Sequence, residues 1–245
     1  MKPLILLLSV LVVGCSHMPN EPTTATDANT QDMVVLIHGF GRSNFAMWKM
    51  QERLEQAGYH VEAIGYASFT QDMDGIVGEI TEKINSLTTQ DFENVHFVGH
   101  SLGGLLVRSY LGNHSPENLG NVVMLGSPNK GTPVVDYLKD EWWFALAGPA
   151  VHAMSTEGTE FLSSLKPPTY PLGVIAGNQE NSNYESVLVG NDDGLVPLES
   201  TKVLGMTDFT IVDSGHSMLR YNLEAAMETL HFLQHSEFRN TKKPG

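Results

Sequence analysis

Residues 94–104 read Asn94-Val95-His96-Phe97-Val98-Gly99-His100-Ser101-Leu102-Gly103-Gly104. A β-branched, apolar run enters the pattern Gly-x-Ser-x-Gly, and a helix-competent run from Leu105 to Leu111 leaves it. Strand, sharp turn and helix in that order form a nucleophile elbow, with the serine exposed at the tip of the turn. A serine hydroxyl is a weak nucleophile until it is presented to a base, so the chemistry needs the turn as much as the residue. Gly99 and Gly103 leave room for a strained turn and a close helix–strand approach, where a Cβ would clash. On its own the pattern also suits a glycine-rich turn between a core strand and its crossover helix. The chemical reading therefore requires a base, an acid and an oxyanion hole elsewhere in the chain.

The flanking sequence predicts the scaffold. Met33-Val34-Val35-Leu36-Ile37 is a continuous apolar run ending at His38-Gly39-Phe40-Gly41, as expected for a strand buried on both faces. Ser43 or Asn44 can cap a helix reaching about Gln56, with Gly58 as its stop. A short strand over 61–64 and a helix over 72–87 follow, the latter with Ile76, Val77, Ile80 and Ile84 on one stripe. Beyond the elbow, strands are expected at 121–125, 172–176 and 208–212, and a closing helix at 223–233. Strands alternating with helices imply a mostly parallel sheet of about six strands with helices on both faces. The folded domain is expected over 33–238, followed by a polar, flexible tail at 239–245.

Composition narrows the function. Of 245 residues, 41% are hydrophobic, enough for one sizeable core, and the formal net charge is -14. So acidic a chain is repelled by phosphate backbones, which argues against a nucleic-acid partner; solubility accounts for the charge. Cys15 is the single cysteine, so no intrachain disulfide is possible. Lys2 and the apolar stretch from Leu4 to Val13 have the size of a signal-peptide core, short of the about 20 residues that span a bilayer. Leu11-Val12-Val13-Gly14-Cys15 resembles a bacterial lipobox, although Val12 stands where leucine is preferred. That resemblance implies a signal peptide over 1–15 and lipidation of Cys15. Ser16 after the cysteine implies the outer membrane of the cell envelope. Residues 16–32 lack apolar periodicity and read as a disordered tether, roughly 50 Å long if extended at about 3.3 Å per residue.

From Met33 to Leu233 the chain resembles an α/β-hydrolase of the lipase/esterase type. In that fold the triad follows in the order Ser…Asp/Glu…His, and the resemblance implies these roles. Ser101 is the nucleophile. His216, in Ser214-Gly215-His216-Ser217 after the last predicted strand, is the base. His114 sits in a turn, and His231 and His235 lie in the closing helix. In Asn191-Asp192-Asp193-Gly194 the aspartate directly before glycine, Asp193, is the acid, with Asp192 the alternative; both also suit an ordinary Asx turn. His38-Gly39-Phe40-Gly41 resembles the His-Gly segment of lipases, implying an oxyanion hole from the N–H groups of Phe40 and Leu102. His38 and His100 are expected to be structural neighbours of the site.

Residues 131–171 occupy the position where this fold inserts a cap or lid. Their run Trp142-Trp143-Phe144-Ala145-Leu146 either lines an acyl pocket or packs a crossover helix on the sheet. The implied substrate is a carboxylic ester with a lipid-like or medium acyl chain, and no cofactor or metal is called for. An acyltransferase or thioesterase would use the same triad, and a non-catalytic lipoprotein could keep the same fold.

Overall fold

Six apolar runs become six strands: β1 (Met33–Ile37), β2 (His60–Ile64), β3 (Val95–His100), β4 (Leu119–Leu125), β5 (Leu172–Asn178) and β6 (Asp208–Asp213). The computed structural model describes residues 31–142, 144–179 and 183–239. The expected signal peptide, Cys15 and nearly all of the expected tether, together with residues 240–245, lie outside the described residues. The strands form one sheet in the order β2-β1-β3-β4-β5-β6, and each neighbouring pair is parallel. All of β1 and β3 is buried, which explains why those strands read as apolar runs rather than alternating ones.

Alternation along each strand divides the core in two. Val35, Phe97, Met124 and Val174 face a layer containing α2 (Met73–Thr88) and α3 (Leu102–Asn113), against Ile76, Ile80, Ile84, Leu105 and Leu106. Val34, Leu36, Val98, Val123 and Ile175 face α1 (Trp48–Gln56) and the closing helix, against Met50, Leu54, Phe232 and Leu233. The Asp72 carboxylate caps α2 by accepting the Gly75 N–H at 2.9 Å.

Several boundaries differ from the sequence reading. The predicted helix from residue 44 begins as a 3-10 turn over Asn44–Met47 before α1. The elbow helix starts at Leu102 rather than Leu105, because Ser101 itself occupies its N-cap. Within 131–171 the chain forms short pieces: α4 (Pro133–Leu138), 3-10 turns at Phe144–Ala147 and Pro149–Met154, and α5 (Glu160–Ser164). Two more helices follow, α6 (Leu198–Thr201) and α7 (Leu223–His235).

Strand order places the site. From β1 the chain steps to β2 on one side, then returns across β1 to β3 on the other. That reversal opens a crevice at the carboxyl ends of β1 and β3, where ligands bind in open α/β sheets. The segment from His38 onward leaves β1 there, and Ser101 directly follows β3.

Candidate active site

Ser101 sits at φ 55°, ψ −124°, a conformation that L-residues rarely adopt. Its N–H donates to the Leu125 carbonyl at 2.9 Å, so the turn is fastened to the end of β4. A Cβ on Gly103 would collide with the Ile37 carbonyl oxygen, and one on Gly99 would lie 2.5 Å from the Gly104 backbone. The two flanking glycines thus let α3 approach β1 and β3 closely enough for the turn to exist.

Three residues far apart in sequence meet at this turn. The Ser101 hydroxyl lies 3.0 Å from Nε2 of His216, and Nδ1 of His216 lies 2.7 Å from Oδ2 of Asp193. Asp193 is 1% exposed, and its Oδ1 accepts the N–H groups of Leu195 at 3.1 Å and Val196 at 2.8 Å. Those two bonds orient the carboxylate. The His216 N–H donates to the Asp193 carbonyl at 2.7 Å, so backbone and ring are tied to the same residue. With Asp193 accepting at Nδ1–H, Nε2 of the neutral ring is left as the acceptor for the serine proton. Asp192, the alternative acid, instead accepts the Gly194 N–H at 2.7 Å in an Asx turn, and burial raises its carboxyl above the ordinary carboxylate range.

The remaining histidines fall outside this row. Nδ1 of His38 donates to the Gly39 carbonyl at 2.8 Å, Nε2 accepts the Tyr66 N–H at 3.3 Å, and the ring stacks on Tyr66 at 4.3 Å. Burial pushes His38 below the ordinary imidazole range, and the nearby Arg220 charge adds to that. Nε2 of His100 donates to the His216 carbonyl at 2.9 Å, holding the backbone of the His216 loop. Burial pushes His100 well below the usual 6.5, and a proton on His216 would push the same way. His114 stacks on Tyr110, while His231 and His235 contact each other on α7.

The two residues expected to supply the oxyanion hole, Phe40 and Leu102, adjoin the ends of β1 and β3. Leu102 opens α3, and its N–H is one of the four at a helix start without an intrahelical acceptor. Gly41 N–H is engaged by Ser68 Oγ at 2.9 Å, which fixes the turn carrying Phe40. Phe40 and Ser101 line a common pocket of about 190 Å³. Its walls are mainly apolar, from Val134, Val135, Leu138, Phe144, Val151 and Met154. The 131–171 segment therefore supplies a pocket wall and core packing together, since Val135, Phe144, Val151 and Met154 also belong to the core. Trp142 does neither; it is 84% exposed. Arg42 and Arg220 line the pocket as well, and the sequence reading missed both. The only signal for Arg220 was a cation four residues after His216. Among the described residues no cluster of His, Cys, Asp and Glu could hold a metal ion.

Known proteins resemble both the chain and its fold. Over 132 residues it is 29% identical to a triacylglycerol lipase of Burkholderia plantarii, covering 50% of this chain and 36% of that protein. Over 80 residues it is 36% identical to methylesterase 3 of Arabidopsis thaliana, covering 29% of this chain and 30% of that one. The chain thus spans less than half the length of these relatives. The mature Bacillus licheniformis lipase BlEst2 superposes with a TM-score of 0.69 at 19% identity, covering 85% of this chain and 93% of that one. An esterase from Exiguobacterium antarcticum superposes with a TM-score of 0.59 at 19% identity, over 81% and 90%. These superpositions make the sheet and its helices an α/β-hydrolase fold. The profile of the palmitoyl protein thioesterase family matches residues 33–165, from the first residue of β1 through the elbow and the pocket wall, so the chain belongs to that family.

Proposed function

We propose that this protein is a serine carboxylic-ester hydrolase working through an acyl-enzyme. The observation that carries this reading is the unbroken row from Ser101 Oγ through His216 to Asp193. His216 takes the Ser101 proton as the hydroxyl attacks the ester carbonyl, and the N–H groups of Phe40 and Leu102 receive the oxyanion. Loss of one such donor costs about 2.7–4 kcal/mol of barrier. Asp193 fixes the imidazole tautomer and stabilises the imidazolium without taking the proton. His216 then protonates the leaving alcohol, and water, activated by the same base, releases the acid.

The apolar pocket wall supports an acyl group of lipid-like or medium length, and the lipase names among the relatives support the same substrate class. The family name favours a second reading, a thioester in place of the ester, because the same machinery serves either carbonyl. Residues 131–171, which carry this wall, would act as a lid over Ser101. Lipidation at Cys15, after removal of residues 1–14 of the 1–15 signal, would tether the domain to the envelope; loss of acyl-chain incorporation in Cys15→Ala tests it.

The test of function is a matched series of p-nitrophenyl esters and acyl thioesters of increasing chain length, with Ser101→Ala as the blank. Ser101-dependent turnover of the esters at medium or long chain length supports the proposal. Turnover of thioesters alone transfers it to the second reading, and turnover that survives Ser101→Ala refutes both.

A further inference from the structure

Arg220 is 7% exposed and lines the same pocket as Ser101 and His216. Its Nε and Nη1 are buried without a hydrogen-bond acceptor among the described residues. A guanidinium keeps its charge and offers five N–H donors, so burying it without an anion is costly. Arg108, of similar burial, illustrates the ordinary solution: its Nε, Nη1 and Nη2 donate to the Lys166 carbonyl, the Asn129 side chain and the Leu165 carbonyl. Among the described residues the Arg220 guanidinium instead meets the Tyr221 ring, 4.8 Å from its central carbon. A cation–π contact leaves the in-plane N–H groups unused. The second arginine of the pocket, Arg42, is exposed, and its Nη1 makes a long 3.4 Å contact with the Gly41 carbonyl.

In a chain of net charge -14, two cations beside one serine form a local exception. The acyl group has its own wall in the apolar residues of 134–154. The charge therefore falls to the other part of the substrate, and a guanidinium fork matches the paired oxygens of phosphate or carboxylate. We propose that Arg220, assisted by Arg42, forms an anion subsite that binds a phosphate or carboxylate on the alcohol portion of the ester. This rests on the ester-hydrolase reading above. It makes the preferred substrate an anionic amphiphile rather than a neutral glyceride.

The test compares, in the full chain, kcat/KM for three esters sharing one acyl chain: a monoacylglycerol, its phosphate monoester and its hemisuccinate. At least one anionic ester is expected to exceed the neutral one tenfold or more, chiefly through KM. That ratio should fall at least tenfold in Arg220→Gln and recover in part in Arg220→Lys. Preference for the phosphate or for the hemisuccinate identifies the anion. Equal kcat/KM for all three esters, or an unchanged ratio in Arg220→Gln, overturns the proposal. Calorimetric titration of Ser101→Ala with glycerol phosphate and with succinate gives a readout free of turnover. Saturable binding of either that disappears on adding Arg220→Gln supports the subsite, and no saturable binding of either overturns it. If no ester is hydrolysed while that binding persists, the hydrolase reading fails and the anion site stands.

Discussion

A serine held at φ 55° sits in backbone territory costing about 1–3 kcal/mol, and such strain gathers where function over-determines it. The strain belongs to the turn and not to the hydroxyl, so the two separate by mutation. Ser101→Ala is expected to fold with near-parental Tm and to lose ester hydrolysis by about 10⁴-fold or more. Ser101→Gly, free of the Cβ, is expected to lose the same activity and to melt above Ser101→Ala. Thermal melts beside kcat/KM check both. The sequence left two adjacent carboxylates open, and geometry separates them: Asp193 meets the His216 ring, while Asp192 closes its own turn. Asp193→Asn should therefore lower kcat by about 10⁴-fold with the fold intact, as expected when the imidazole tautomer is lost. Asp192→Asn keeps the Asx turn and is expected to retain kcat within tenfold. A pair of kinetic runs on the two variants decides between them. Arg220 was not legible in sequence, because its meaning lies in which cavity it reaches and which acceptors it lacks.

At the scale of elements, α3 and the strands beneath it show how tightly the elbow is built. In an ordinary exposed helix interior, Gly→Ala is stabilising by about 1 kcal/mol. Gly103→Ala is expected to reverse that sign and to cost more than about 3 kcal/mol, since the new Cβ meets the Ile37 carbonyl oxygen. Urea unfolding would measure it. A cost near zero would mean that α3 has room to move off β1. The long elements were legible because their patterns are strong: β1 and β3 are uninterrupted apolar runs, and α2 carries Ile76, Ile80 and Ile84 on one stripe. The pieces between 131 and 171 were not. α4 and α5 have 6 and 5 residues, too few for a 3.6-residue period to declare itself, and their shape is set by packing against the core. Function divides that segment residue by residue: Phe144 lines the pocket while Trp142 faces outward.

Across the whole molecule, three buried histidines tie stability to acid. His38, His96 and His100 are each held below the ordinary value of 6.5, in every case chiefly by burial. His96 is held down even with Asp32 at 3.6 Å, so desolvation outweighs that attraction. The unfolded chain therefore binds more protons than the folded one once pH drops below about 6.5. Their contribution is fully present above that pH and is lost as pH falls toward the depressed folded values. Tm is expected to decline from pH 7 to pH 5, and the slope to be shallower in His100→Gln, which removes one of the three. A Tm that is flat or rising over that interval contradicts this. Since His100 braces the His216 carbonyl, acid is expected to loosen the site as it loosens the fold.

If Ser101 carries the acyl group, stoichiometric labelling will find it there. The chain would be mixed with a p-nitrophenyl ester of a medium-length acid, quenched in acid within milliseconds to seconds, digested and analysed by mass spectrometry. A p-nitrophenolate burst approaching one equivalent is expected, with an acyl adduct on the peptide containing Ser101. The adduct should be absent in Ser101→Ala and accumulate more slowly in Asp193→Asn. An adduct on another residue, or parental turnover in Ser101→Ala, would contradict it.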